Sequence, residues 1–348
     1  MQQSDSQEPA AAGNKGRPTA VRGVLRASLC VLLALSALCG WLAWYAFTPG
    51  PDTTEKTAVV FIPRGASVEE ITGLLADGGL IHGDIRFGLL ARIMRVSAQL
   101  PAGEFRLATA RRPLDLIDEL VHAQPLQHRI TIPEGLTVGQ IADIFAADGW
   151  VDRNRFIERA SDPSLIGELG LDGIASLEGY LFPDTYQLIK PSPGEEALIR
   201  KLAGRALAVW NELQTGEQQL DRHQVFTLAS IVEKETGRAE ERPLIASVFL
   251  NRLQRKMKLQ SDPTVIYGIE NFTGPLTKRD LNTATPYNTY QIDGLPPGPI
   301  CSPGRDALVA VLEPAESDYL YFVSKNDGSH QFSKSLREHN RAVRTYQR

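Results

Sequence analysis

Ile62-Pro63-Arg64-Gly65-Ala66-Ser67-Val68 returns later in the chain as Ile132-Pro133-Glu134-Gly135-Leu136-Thr137-Val138. Each version opens a helical pattern. Ser67 with Glu70, and Thr137 with Gln140, form a capping box, in which side chain and backbone satisfy each other's free N–H groups. Beyond the box, Ile71 matches Ile141, Ala76 matches Ala146, and Gly79 matches Gly149. Both stretches read as strand, tight turn, capped helix and glycine stop. The spacing predicts one structural unit used twice, or two independent uses of one good turn. Two copies are too few for a solenoid.

Working outward, Ala58 to Ile62 reads as a strand, and Asp84 to Met94 as a helix capped by Asp84. Pro101 to Leu107 reads as a turn and then a strand, and Pro113 to Val121 as a helix. Further helices are predicted at roughly 137–147, 195–213, 221–236, 239–257 and 304–313 from their apolar spacing. The fold class expected is α+β. βαβ alternation and a Gly-rich phosphate loop are absent, which disfavours a doubly wound nucleotide fold.

The start of the chain carries a different signal. Residues 1–26 are polar, with Lys15, Arg17, Arg22 and Arg26, and Ala27 to Phe47 contains no charge. About 20 apolar residues cross a bilayer core. Trp41, Trp44 and Tyr45 near the far end suit the membrane interface, and the basic residues before the span keep the N-terminus cytoplasmic. A cleaved signal peptide fits less well, because its apolar region runs to only ~7–15 residues and ends at a small-x-small site. A lipoprotein anchor at Cys39 is disfavoured by the bulky Leu38. The organisation expected is a cytoplasmic tail (1–26), a transmembrane helix (27–47), a linker (48–55), a small α+β module (56–125) and a larger α+β domain (126–348).

The 348 residues are 22% charged and 43% hydrophobic, ordinary globular material. A net charge of −4 gives no basic field, so nucleic acid is not an expected partner. Cys301 is the one cysteine outside the apolar stretch, and a lone thiol says nothing about redox compartment. There is no His-Glu-x-x-His, Ser-x-x-Lys or Gly-x-Ser-x-Gly, and the six histidines are scattered, so neither metal nor cofactor is expected.

Carboxylates remain. Glu233-Lys234-Glu235 closes the apolar run Phe226 to Val232. A carboxyl beside aliphatic side chains loses hydration, its pKa rises, and it can hold a proton at neutral pH. On a helical wheel Glu235 falls between Leu228 and Ile231, Glu233 falls nearer the stripe's edge, and Lys234 falls away from it. The bland alternative is a solvated helix face.

Leu177 to Tyr186 places Glu178 and Asp184 among three aromatic rings, including Tyr180. Aromatics near carboxylates suit sugars, whose C–H faces are apolar and whose hydroxyls need acceptors. A buried loop plug is the other reading. Gln260 to Gly268, with Asp262, and Tyr287-Asn288-Thr289-Tyr290, followed by the proline-stiffened Gly294 to Ile300, could line a groove or serve as rigid connections.

Together these motifs are specific. Leu177-Glu178-Gly179-Tyr180 through Tyr186, Ala229 to Thr236, Ser247 to Leu253, Asp262 to Gly268, Tyr287 to Tyr290, Gly294 to Ile300 and Tyr319 to Val323 occur in this order. In this the chain resembles the MltG (YceG-like) family of membrane-anchored endolytic murein transglycosylases. The resemblance covers nearly everything after the anchor. It implies a LysM-like module beside the membrane, then a catalytic domain that cuts peptidoglycan strands between N-acetylmuramic acid and N-acetylglucosamine, leaving 1,6-anhydro ends. It implies Glu235 as the catalytic acid, peptidoglycan synthases (penicillin-binding proteins) as neighbours, and the inner membrane as location. The groove candidates are Glu178, Tyr180, Asp184, Asp262, Asn288, Thr289 and Tyr290. A two-carboxylate muramidase, with Glu178 or Asp184 as the second group, and a non-catalytic wall-binding scaffold are the alternatives.

Overall fold

The structure, a computed structural model, describes residues 18–52, 54, 56–213 and 219–347, with side chains from residue 23 onward. It divides into two compact units, Met1–Leu126 and Gln127–Arg348.

In the first unit, α1 (Pro18–Phe47) begins earlier than the expected span, with proline in its first turn, where a missing N–H costs nothing. The first part of the expected tail, 1–17, lies outside the described residues. Gly23–Phe47 is long and apolar enough to cross a membrane. Strand β1 (Thr57–Ile62) pairs antiparallel with β2 (Gly103–Ala108), so that Val60 faces Phe105. Between them lie α2 (Val68–Asp77) and α3 (Ile85–Ile93), and α4 (Pro113–His122) follows. A two-stranded sheet alone is marginal in water. Here Val60, Ile62, Phe105 and Leu107 bury one face against Ile71, Leu75, Phe87, Leu116 and Leu120.

The stretch expected as a linker is fastened where it is described. Thr48 Oγ1 donates to Trp44 O at 2.6 Å, and Gly50 N donates to Arg111 O at 3.1 Å. A Cβ on Gly50 would stand 2.3 Å from Leu80 O, so only glycine lets the chain pass this close. Tyr45 and Ala46, the end of the apolar helix, are 3% and 4% exposed within the unit's core. Thr53 and Glu55 of the expected linker lie outside the described residues.

The second unit begins by repeating the frame. Strand β3 (Gln127–Thr131) leads through Gly135 to α5 (Val138–Ala147), then α6 (Arg153–Ala160), and pairs antiparallel with β4 (Thr185–Ile189). Both capping boxes are formed as the sequence predicts. The turn glycines Gly65 and Gly135 adopt nearly equal φ of 76° and 78°. The second copy differs by an insertion between α6 and β4, which holds α7 (Pro163–Glu168) and the Glu178 loop.

The rest is mainly helical: α8 (Glu195–Leu213), α9 (Arg222–Glu235), α10 (Arg242–Gln254), α11 (Asp262–Gly268), α12 (Lys278–Asn282) and α13 (Arg305–Leu312). The hairpin β5 (Tyr321–Ser324) and β6 (His330–Ser333) and helix α14 (Leu336–Tyr346) close it. The helix expected over 239–257 is shorter. A 3₁₀ turn occupies Ala239–Glu241, and Pro243 opens α10. The groove segment expected over 260–268 is largely helix α11, for the same reason: Pro263 sits in its first turn. Helix α9 packs against α10, α11 and α13 and is buried on every side from Val225 to Val232.

Gly179 fixes how the inserted loop meets this core. Its φ is +82°, and a Cβ there would lie 2.3 Å from Pro299 Cβ. Gly179→Ala is expected to lower stability by about 2–4 kcal/mol, through left-handed strain plus the clash with a rigid ring. Denaturant titration, read as a lower midpoint at unchanged slope, checks this.

Candidate active site

Helix α9 starts at Asp221, which closes a capping box with Gln224, and ends at Glu235. The helix therefore carries both candidate glutamates on its last turn. Their surroundings differ sharply.

Glu233 is tied into structure. Its Oε1 takes a hydrogen bond from Arg242 Nη2 at 3.0 Å, and its Oε2 takes one from Gly304 N at 3.0 Å. Arg242 also reaches Glu134 and Asp306 at 3.4 and 3.5 Å. Like-charged neighbours and burial push the Glu134 carboxyl up, burial most. A carboxylate held this way locks α9 to the start of α13.

Among the described residues no cation is paired with Glu235. Ser261 Oγ donates to its Oε1 at 2.5 Å. Loss of hydration pushes its pKa up to about 7, with help from the charge of Asp262, while the Ser261 hydrogen bond and the charge of Arg252 pull the other way. The residue keeps part of its surface open although the carboxylate lies among dense protein. Leu228 and Ile231, which the wheel placed on either side of it, are fully buried. The one-sided stripe assumed by that wheel is not what is found, since every residue from Val225 to Val232 is buried. Lys234 points outward, as the wheel places it, and its Nζ lies 3.4 Å from Gly135 O.

Arg252 is nearby but occupied. Its guanidinium donates to Leu320 O and Leu259 O, both at 2.7 Å, and lies 5.2 Å from the Tyr321 ring centre. It contributes positive potential without pairing with Glu235.

The Ser261 loop is held from beneath. Thr289 Oγ1 accepts from Ser261 N at 3.0 Å and meets Thr264 Oγ1 at 2.8 Å, and Thr289 O accepts from Gln260 N at 3.1 Å. Asn288 donates its amide to Thr283 O at 2.7 Å and Leu281 O at 3.1 Å, and accepts from Tyr290 N at 2.9 Å. Both residues are 0% exposed. They have no surface to touch a glycan, and the expected contact gives way to a positioning role. Tyr290 and Asp262 do reach the surface. Tyr290 Oη donates to Asp262 Oδ1 at 2.7 Å, and both act electrostatically on Glu235 or are acted on by it.

The other candidates stand elsewhere. Glu178 accepts from Val138 N, the first residue of α5, at 3.1 Å, and from Tyr267 Oη on α11 at 3.3 Å. Burial pushes its pKa up to about 7 against the pull of those donors. Tyr180 is fully buried, stacked on Phe226 with centroids 4.6 Å apart, its Oη 3.2 Å from His223 Nδ1. Between the two readings of this loop, the structure gives the buried plug. Asp184 caps Thr185 N at 2.7 Å and pairs with Arg205 Nε at 3.0 Å. Among the described residues no hydrogen bond or ion pair joins it to the Glu235 group. Ser261 was missed as a partner of the acid. Its only signal was its place before Asp262-Pro263, a helix start.

This arrangement sets a desolvated carboxyl beside a hydroxyl and an exposed carboxylate–phenol pair. The chain belongs to the YceG-like family, whose model matches residues 60–345. It is 32% identical over 315 residues to the endolytic murein transglycosylase of Bacillus subtilis (strain 168), covering 86% of this chain and 87% of that one. It is 31% identical over 354 residues to the endolytic murein transglycosylase of Streptococcus pneumoniae (strain ATCC BAA-255 / R6), covering 91% of this chain and 64% of the longer relative. Among solved structures it is similar to a YceG-like protein of Listeria monocytogenes, with a TM-score of 0.56 and 32% identity over 83% of this chain and all of that one.

An acid whose pKa rises on folding binds its proton more tightly in the folded state. Its penalty is absent below the ordinary carboxylate range and grows as pH climbs to about 7. Glu235→Gln removes that penalty and keeps the shape. The variant is expected to match the parent near pH 4 and to exceed it by about 1–3 kcal/mol near pH 8. Denaturant titration at the two pH values checks the sign.

Proposed function

We propose that the protein is a membrane-anchored endolytic lytic transglycosylase of peptidoglycan, with Glu235 as general acid and then general base. The observation that carries the reading is the Glu235 carboxyl, desolvated, uncompensated by a cation and pushed up to about 7. The family and its named relatives support the substrate class.

In the first step the Glu235 proton passes to the glycosidic oxygen as its bond to C1 of N-acetylmuramic acid breaks. Positive charge gathers at C1 and the ring oxygen. The Asp262 carboxylate, oriented by Tyr290, faces that charge. In the second step the 6-hydroxyl of the same sugar closes on C1, and the ionised Glu235 takes its proton. The acid is regenerated and no water is consumed. An attacking group already attached to the sugar replaces an activated water, an advantage that reaches ~7–11 kcal/mol in well-oriented systems. Ser261 holds the carboxyl in line, and Asn288 and Thr289 hold Ser261 and Tyr290. Glu178 ties the inserted loop to α5 and α11, away from the chemistry.

The β1-α2-α3-β2 frame acts as a LysM-like module that holds glycan near the membrane. Helix α1 crosses the inner membrane once, with the basic N-terminal side in the cytoplasm and the catalytic unit outside. Such a position puts the enzyme among newly made strands, beside peptidoglycan synthases.

A second reading takes its support from Asp262. An exposed carboxylate close to the acid could instead activate a water, giving a two-carboxylate muramidase. Product mass separates the two, because anhydro ends are one water lighter than reducing ends.

Glu235→Gln in the full chain is expected to lose about 10²–10⁴-fold in turnover of peptidoglycan. Glu233→Gln is expected to cost stability and to retain the chemistry. The opposite pattern would assign the wrong carboxylate. In the parent, kcat/KM should fall as pH rises past about 7, when the free acid loses its proton. Ser261→Ala removes a hydrogen bond that favours the ionised form, so that limb should move to higher pH, seen in a pH–rate profile.

A further inference from the structure

The end of the apolar helix and the first unit are a single packed body, and this fixes the height of the unit over a bilayer. Arg86, at the start of α3, lays its guanidinium 4.3 Å from the ring centre of Tyr45 and 5.4 Å from that of Trp41. Asp84 accepts from it with both oxygens, at 2.9 Å from Nε and 2.5 Å from Nη2. The charge is therefore neutralised and covered by aromatic rings, at the level of Trp41 and Tyr45 along α1.

On the other side the first charge is Arg26, in the same helix. At 1.5 Å per residue, Arg26 is ~22 Å from Trp41 and ~28 Å from Tyr45 along the axis. A hydrocarbon core is ~30 Å thick. Neither arginine rests in the core without cost, and both must reach out toward the interface along their own stems. The start of α3 is thus set at the edge of the hydrocarbon core.

Beside Arg86 is Ile85, 71% exposed. It opens a row with Leu89 and Ile93, set four residues apart on the side of α3 away from buried Phe87, Leu90 and Ala91. Trp44 and Phe47 at the end of α1 are also bare, at 70% and 59%. Water is a poor surrounding for this set, and the boundary between headgroups and acyl chains is a good one.

We propose that the first unit docks on the outer leaflet of the bilayer crossed by α1, with Ile85 at the start of α3 inserted at the headgroup–acyl boundary. The proposal rests on the anchor reading given above. The occupant of this surface is phospholipid.

The test uses the full chain in phospholipid vesicles, with Cys30→Ala and Cys39→Ala, leaving buried Cys301 in place. A nitroxide is attached at Leu33→Cys or at Ile85→Cys, both exposed positions. Its relaxation is compared in oxygen, which concentrates in lipid, and in a water-soluble nickel chelate. Docking is expected to make both labels respond more to oxygen than to nickel. A lipid response at Leu33 with a nickel response at Ile85 would leave the anchor standing and overturn the docking. A nickel response at both would overturn the anchor, and the docking with it. A label at Ile85 shielded from both reagents would show protein covering the surface, which also overturns the proposal.

Discussion

A carboxyl group stripped of water at the end of a buried helix is the constraint on which the second unit is organised. Desolvation raises the Glu235 pKa only while no cation comes close enough to cancel it. The fold meets both demands at once. Helix α9 is enclosed from Val225 to Val232, which supplies the dry surroundings. Arg242 is spent on Glu233. Arg252 is spent on backbone carbonyls. What reaches Glu235 is a serine hydroxyl, a weak partner that orients the acid without holding it ionised.

The two glutamates of one helical turn show how environment divides identical chemistry. Glu233 is a rivet between α9, α10 and α13, and it gains its stability through a buried ion pair that would be costly to break. Glu235 has the Ser261 hydroxyl as its partner instead. Around it, Asn288 and Thr289 carry no exposed surface, yet they set where Ser261 and Tyr290 stand. Polar residues satisfied completely in the interior specify a loop geometry more strictly than apolar packing does.

Much of this was readable in the residues. The doubled capping boxes announced two frames, and both formed, because a capping box satisfies its own N–H groups with partners three residues away. The apolar run from Ala27 announced a helix long enough to span a membrane. The motif order announced the family. The wheel leaned toward Glu235, while the pairing of Arg242 with Glu233, which gives the two carboxyls different surroundings, is something no periodicity reveals. The loop candidates were read least well. Tyr180, Asn288 and Thr289 look like groove residues in sequence because aromatic and short polar side chains serve equally as ligand contacts and as internal ties. Only burial distinguishes the two uses. Ser261 gave no sign of meeting Glu235, since that contact joins the start of one helix to the end of another.

The second frame departs from the first by the insertion between α6 and β4, which carries α7 and the Glu178 loop. The entropy of closing a loop rises only with the logarithm of its length, so a strand pair already bracketed by capped helices accepts extra chain cheaply. Glu178, reaching α5 and α11 from within that insert, shows what the added chain does. The frame is in this sense a socket: foreign segments seated at the same junction of the first copy, between α3 and β2, should be tolerated as well, which marks that junction as a natural point for grafting.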